Sequence, residues 1–552
     1  MARRGSEISM AKATPKEAAK VRSSLIKIYV SAVKKLKRVP TEAEMRERGV
    51  TRHKVRYHFK NPQALKQAAM GAAPEAFEHI IDESIFTDEN MENLEQRMSN
   101  ASAAVVFSAV TGCKVHKGFY RTLKSYAEKH NAVPLCIPVT DPAADASWNL
   151  SPDLDKESIV FGDLALNSNI YINGIKMSAK QIDPTWGLKR MSHRMSFIFG
   201  SPKQRLIVKA NSNLKHPHVS MGTGAVTLPN YSTSRYMSER TAKLAEFDHK
   251  VGAVVVELDS DEKYYFRQIQ ASASGSFADL GQLYMPDGRV VPYAPAYFVM
   301  GDLHPGETDP KALACWKEVI QETGAENVVV HDGVNGHSIS HWVEGKIIEK
   351  ALMAKKGMTN LAEEGKLCAQ YFTEILSWLP ATGKIYMVAS NHNDFLYRYL
   401  NDKRFVRDYE NFDFVAQNLL PKVLQGEDPA KVLVELFLSL EAKARIIWWK
   451  EDEDVRFAGV QLAAHGDRGP NGSRGTLRNQ EESFGPCVVG HSHTPGILRE
   501  AFQVGTSTFR KLGYSGGPSS WMQTSCLVYP NSSRQLINCI DGKWRLKAKK
   551  KV

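Results

Sequence analysis

Tyr297-Phe298-Val299-Met300-Gly301-Asp302-Leu303-His304 is the stretch that decides the fold. Four apolar residues make a strand-like run, Gly301 interrupts it, and Asp302 and His304 follow two places apart. On an extended segment that spacing turns both side chains to the same side. The arrangement recurs downstream. Asn327-Val-Val-Val leads into His331-Asp332-Gly333, and Lys384-Ile-Tyr-Met-Val-Ala into Ser390-Asn391-His392-Asn393-Asp394. Val460-Gln-Leu-Ala-Ala leads into His465-Gly466-Asp467, and Pro486-Cys-Val-Val into Gly490-His491-Ser492-His493. Stretches with helical spacing, 309–324, 361–378 and 428–443, stand between the runs. Alternation of strand and helix predicts a layered α/β fold, whose loops converge at the carboxyl ends of the strands. Five polar segments at five strand ends can therefore meet at one point.

The residue types in those segments suit divalent metal. Two ions a few ångströms apart need about seven or eight protein ligands drawn from carboxylate, imidazole and amide oxygen, one carboxylate bridging. Asp302 and His304 supply two. Asp332 stands alone after its strand, as a bridging carboxylate would; Asn391 offers an amide oxygen, His465 an imidazole, and His491 and His493 again stand two apart.

In order and residue type the five segments resemble the calcineurin-like metallophosphoesterase superfamily, and within it the SbcD-type nuclease branch. The resemblance covers residues 293–545 and implies a β-sandwich flanked by helices. It implies that Asp302, His304, Asp332 and His493 hold one metal, and Asp332, Asn391, His465 and His491 the other. His392 would be the catalytic imidazole at the leaving group, with Asp394 beside it as a polarising carboxylate. The implied chemistry is phosphoester hydrolysis by water activated between two ions. Manganese suits such mixed donors; magnesium, zinc and iron are compatible with them. Three positions depart from the superfamily pattern: His331 and Ser390 where it has glycine, and Asn393 where it has an acidic residue. The protein-phosphatase version of the second segment, with arginine after the aspartate, is not matched by Asn335-Gly336-His337. Arg468, Arg474 and Arg478, in a Gly/Asn/Ser-rich loop, are candidates to grip substrate phosphates or to form a solvated basic loop.

Charge divides the chain unevenly. Residues 1–66 hold 18 Lys/Arg against 5 Asp/Glu, while the rest holds 54 against 55, so the net +12 of the chain sits on a small N-terminal module. A concentrated basic module attracts a polyanion, usually nucleic acid. Residues 15–36 have helical spacing with Leu25, Ile28, Tyr29, Val33 and Leu36 on one face. Thr41 with Glu44 makes a capping box, Gly49 ends that helix, Thr51 opens another, and Asn61-Pro62 caps a fourth. Residues 1–70 thus read as a helix-turn-helix module, with Arg52, His53, Lys54 and Arg56 as DNA contacts and Val55, Tyr57 and Phe59 as anchors. The segment from Thr51 to Leu65 also resembles the recognition helix of TetR-type repressors. A small helical bundle that mediates oligomer contacts is the alternative.

Residues 71–100 read as a helical connector. Residues 101–292 read as a strand-rich α/β domain that opens with a β-α-β unit over 104–139. Lys215-His216-Pro217-His218 and the glycines after it lack phosphate-loop spacing and read as a glycine-rich turn with exposed histidines. The 552 residues predict several folded units; the seven cysteines are widely spaced and form no Cys-x-x-Cys pair, so reduced thiols are expected. No apolar stretch is long enough to span a bilayer, and the basic start is not followed by an apolar core, which predicts cytoplasmic residence.

Joined to a basic module, the metallophosphoesterase resemblance implies a metal-dependent DNase with DNA as partner, no membrane contact, and a homo-oligomeric state, with any further protein partner open. The layout is similar to the large early metallophosphoesterases that T5-like bacteriophages direct against host DNA, which would place it in the host cytoplasm. Two alternatives stand beside this: a nucleotide or phosphoprotein phosphatase with the same metals, and a DNA-binding regulator whose site has decayed.

Overall fold

A computed structural model describes residues 14–36, 39–40, 42–77, 88–140, 150–212, 216–231, 238–341, 343–451, 453–512 and 515–546. Thr41, Lys215 and residues 78–87 of the connector lie outside them. The chain is a mixed α/β protein with four sheets among these residues.

The stretch quoted first is the hub. Tyr297–Val299 pairs in parallel with Asn327–Val330, which continues in parallel through Ile385–Met387 to Ile446–Trp448; on its other side it pairs antiparallel with Thr524–Val528 and then Arg534–Asn538. Alternate residues of these strands enter different cores. Phe298, Val328 and Val330 pack with Trp316 and Phe372 of the helices Pro310–Thr323 and Leu361–Trp378. Val299 and Val329 pack instead with Ile198, Leu206, Val488 and Phe502 of a second sheet. A sheet buried on both faces explains why the runs are continuously apolar rather than alternating. The helix read over 428–443 is two, Pro429–Glu435 and Leu440–Ala444, with the Ser439 hydroxyl capping the second.

The second sheet has ten strands and corrects the boundary drawn at 292/293. Its C-terminal members, among them Cys487–Val489 and Gly496–Leu498, continue without a break into Arg205–Lys209, His218–Gly222, Ser196–Phe199 and Ile170–Asn173, because Gly496–Leu498 pairs with Arg205–Lys209. The 101–292 segment is thus half of the sandwich partner. Its β-α-β unit is present: Ala103–Val110 and Ala132–Val139 pair in parallel across the helix Lys117–Lys129. They belong to a four-stranded sheet whose outer strand, Tyr264–Gln270, is stapled by side-chain amides. Phe266 N–H donates to Asn538 Oδ1 (2.9 Å), and Gln535 Nε2 donates to the Gln268 carbonyl (3.0 Å). The segment read as a glycine-rich turn is instead the strand His218–Gly222, and His216 and His218 are half-buried rather than exposed.

The described residues of the N-terminal module form four helices, α1 (Pro15–Leu36), α2 (Glu42–Glu47), α3 (Arg52–Phe59) and α4 (Pro62–Ala72), around a core of Leu25, Tyr29, Val33, Met45, Val55, Phe59 and Leu65. Gly49 turns the chain between α2 and α3 at φ 79°. Thr51 caps α3 by accepting from Lys54 N–H, and Asn61 caps α4 by accepting from Ala64 N–H. Tyr57, expected as an anchor, is 63% exposed: only Val55 and Phe59 of that trio face the core. Arg52, His53, Lys54 and Arg56 all lie on the exposed face.

Candidate metal centre

The five polar segments do meet, at the edge where the two sheets of the sandwich end together. Backbone hydrogen bonds tie the segments to one another: Leu303 N–H donates to the His331 carbonyl, His304 N–H to the Asp332 carbonyl, and Gly490 N–H to the His465 carbonyl. The turns are tight. His304, Asp332, His491 and His493 all have left-handed backbones, with φ of 47°, 50°, 73° and 57°. Non-glycine residues adopt that region at a cost of roughly 1–2 kcal/mol each, and such strain gathers at functional sites. Gly490 is required where it stands, since a Cβ there would overlap the Asp302 carboxylate.

The side chains converge in two groups. Asp302, His304, Asp332 and His493 are all buried and offer donor atoms within 4.8 Å of one another. His304 Nε2 lies 3.0 Å from His493 Nε2 and 3.2 Å from Asp332 Oδ2, and His493 Nε2 lies 3.3 Å from Asp302 Oδ2. In the second group, His465 Nε2 and His491 Nδ1 lie 3.1 and 3.2 Å from the same oxygen, Asn391 Oδ1, while His465 Nε2 is 3.5 Å from Asp332 Oδ1. Asp332 thus turns one oxygen to each group. The seven ligand positions read from the sequence are all brought together.

Whether these donors fit metal is answered by what they lack. Both oxygens of Asp302, Oδ1 of Asp332 and Nδ1 of His493 are buried without a hydrogen-bond partner. An uncompensated buried carboxylate costs several kcal/mol, so such atoms call for a cation. Electrostatics agrees. Burial and the neighbouring Asp332 charge push Asp302 well above the usual carboxylate range. Burial acts the same way on Asp332, but His465, His392 and His304 override it and hold that carboxyl well below its usual value. His304 is disfavoured as a cation by burial, yet the Asp332 carboxylate raises it to about 9. Burial lowers His465 and His493 well below the ordinary imidazole value, keeping them in the neutral form that binds metal.

His392 is half-buried beside this cluster, its ring 4.6 Å from that of His304. The expectation that Asp394 polarises it is corrected. His392 Nδ1–H donates to the backbone carbonyl of Asn335 at 2.6 Å, whereas Asp394 Oδ2 accepts from Arg468 at 2.7 Å. The atypical Ser390 and Asn393 bond to each other, Ser390 Oγ donating to Asn393 Oδ1 at 3.3 Å. Arg468 is held by Asp394, Glu451 and Asp467, so its guanidinium is already neutralised, against its reading as a phosphate grip. Arg474 and Arg478 remain exposed. A cleft of about 660 Å³ opens beside the centre, lined by Ser390, Asp394, Tyr397, Trp448, Asp467 and Arg468.

Two functional residues escaped the sequence reading. Asn335 serves two histidines: besides binding His392, its side-chain Oδ1 accepts from His304 Nδ1–H at 3.1 Å. Glu364, buried on the helix Leu361–Trp378, accepts from the backbone N–H groups of Gly336, His337 and Ser338 at 2.6, 3.1 and 3.0 Å and so secures the Asn335 loop. Asn335 carried a faint signal, lying three residues after Asp332; Glu364 carried none, being one acid among several on an amphipathic helix.

Fold and site together define a layered α/β protein with a buried Asp/His/Asn centre that can hold divalent metal ions. No family model matches the sequence. The chain is similar to Protein A1 of Escherichia phage T5, with 27% identity over 343 residues, covering 58% of this chain and 59% of that relative's length. Among solved structures, Vps29 of Chaetomium thermophilum aligns at 10% identity over 35% of this chain and 96% of its own, with a TM-score of 0.19, too low to identify a fold. All seven cysteines are buried thiols. Among the described residues no helix is long and apolar enough to cross a membrane.

Proposed function

We propose that this chain is a calcineurin-like metallophosphoesterase that hydrolyses the phosphodiester bonds of DNA in the cytoplasm of a phage-infected cell. The single observation that carries the phosphoesterase reading is Asp332, whose two oxygens face two separate donor groups that hold every ligand type the reading requires. Two bound divalent ions would supply an activated water and neutralise charge on the phosphate. The chain's own residues do the rest. Asp302, His304 and His493 on one side, and Asn391, His465 and His491 on the other, hold the centre. His392, with its Nδ1–H committed to the Asn335 carbonyl, leaves Nε2 as the nitrogen that would take up a proton and pass it to the departing oxygen.

DNA as substrate rests on different observations. Arg52, His53, Lys54 and Arg56 of α3 stand exposed on a module that carries the positive charge of the chain. The similarity to a T5 protein supports the phage setting. The test is digestion of linear, circular and single-stranded DNA by the purified full chain with Mn²⁺ or EDTA, beside Asp302→Ala. Metal-dependent degradation that this substitution abolishes is expected. Hydrolysis of p-nitrophenyl phosphate without DNA cleavage would shift the reading to a phosphatase, and DNA binding with no hydrolysis to a regulator with a decayed site.

A further inference from the structure

We infer that His331 is a positioning residue for the metal ligand His465, fixing that ligand's tautomer through an imidazole–imidazole hydrogen bond. The inference rests on the metal centre proposed above. His331 stands where the resembling superfamily has glycine, and its side chain is 0% exposed. Its Nδ1 lies 3.2 Å from His465 Nδ1, with the rings 5.4 Å apart between centroids and inclined by 35°. His465 directs its other nitrogen, Nε2, at Asp332 and Asn391, so Nε2 is the ligand atom. A neutral imidazole that ligates through Nε2 carries its proton on Nδ1. Where two ring nitrogens at this distance share a hydrogen bond, one donates and the other accepts, so with Nε2 as the ligand atom His465 Nδ1–H donates and His331 Nδ1 accepts. The His331 proton then sits on Nε2, which is buried without a hydrogen-bond partner.

The placement is built for this pair. The His331 carbonyl accepts Leu303 N–H at 3.0 Å, which locks its backbone to the Asp302–His304 segment. Opposite it stands Gly490: a Cβ there would come within 3.0 Å of His331 Cγ, so the glycine makes room for the additional ring. Metal-ligating histidines usually give the second N–H to a carboxylate or a carbonyl. An imidazole acceptor is neutral and, unlike a backbone carbonyl, can be deleted by substitution. Its loss should weaken the group of Asp332, Asn391, His465 and His491 first, because its side chain bonds to His465 and no hydrogen bond joins it to His304 or His493.

The test is titration of the full chain with Mn²⁺ by calorimetry, and with Co²⁺ followed by visible absorption, for wild type, His331→Leu and His331→Gln. Wild type is expected to bind two ions. His331→Leu should weaken one of them by roughly 10- to 100-fold and alter the Co²⁺ bands of that ion only. His331→Gln, whose amide oxygen can accept the same proton, should recover most of the loss. Wild type that binds two ions beside a His331→Leu that also binds both at full strength overturns the positioning role and leaves the metal centre standing. Equal weakening of both ions with no recovery in His331→Gln overturns it too, as a general packing defect. Wild type that binds no metal overturns the centre itself.

Discussion

The backbone carbonyl of Asn335 accepts the Nδ1–H of His392 at 2.6 Å, so the tautomer of the candidate catalytic histidine is set by main chain rather than by a carboxylate. Burial also lowers its pKa, favouring the neutral ring in the free protein. His392→Gln is expected to lower kcat by roughly 10²- to 10⁴-fold while metal binding by calorimetry stays as in wild type. Asp394→Asn should cost less than roughly fivefold, because it breaks half-exposed ion pairs worth about 1 kcal/mol at most. An Asp394→Asn enzyme as impaired as His392→Gln would restore the carboxylate to the mechanism.

Glu364 holds the loop that presents Asn335, and three N–H groups, two of them buried, depend on it. Glu364→Ala leaves them unpaired and should destabilise the protein by about 3 kcal/mol or more in urea unfolding. Glu364→Gln keeps one acceptor oxygen and should lose less. Both variants should also show lower kcat, since His304 and His392 lose a fixed partner together.

Exposed cations on α3 predict a salt-dependent DNA affinity. Each phosphate contact contributes about −0.9 to the slope of log K against log salt concentration on duplex DNA. Replacing Arg52, Lys54 and Arg56 together by alanine should weaken binding at low salt and reduce the slope magnitude by about 2 to 3. Turnover of a small phosphodiester should not change. A slope identical to wild type would falsify the docking role.

His249 offers a pH test away from the metal centre. It is buried, with Nε2–H donating to the Thr227 carbonyl at 2.7 Å and Nδ1 facing the Tyr231 hydroxyl at 2.6 Å, and burial lowers its pKa to about 4. An unfolded histidine has its ordinary value near 6.5. Between these values the unfolded chain binds the extra proton, so stability falls as pH drops from about 6.5 toward about 4. Thermal melting at pH 7, 6 and 5 should show a steeper loss for wild type than for His249→Gln, which has no proton to gain.

Three strands of the central sheet, Tyr297–Val299, Asn327–Val330 and Ile385–Met387, and the helices Pro310–Thr323 and Leu361–Trp378 were legible because those apolar runs are packed on both faces; Ile446–Trp448, Thr524–Val528 and Arg534–Asn538 were not. The boundary at 292/293 was not. Whether Gly496–Leu498 pairs with Arg205–Lys209 depends on an edge-to-edge match nearly 300 positions apart, and β-prone runs look the same whichever sheet they join. Tyr57 was misplaced for a local reason: on an eight-residue helix a shift of one residue turns a side chain by about 100°, from core to solvent.

By itself the sequence determined the donor types, their order and their placement after strands, because ligand chemistry and strand periodicity are properties of nearby residues. It also determined the basic N-terminal module and the caps at Thr51 and Asn61, both local in origin. Tertiary structure alone decided that Asp332 faces both donor groups, that Asn335 rather than Asp394 orients His392, and that His331 bonds His465. The last two relations join residues 57 and 134 positions apart, and the distances in all three are set by how two sheets pack and by four left-handed turns, neither of which leaves a mark in neighbouring letters.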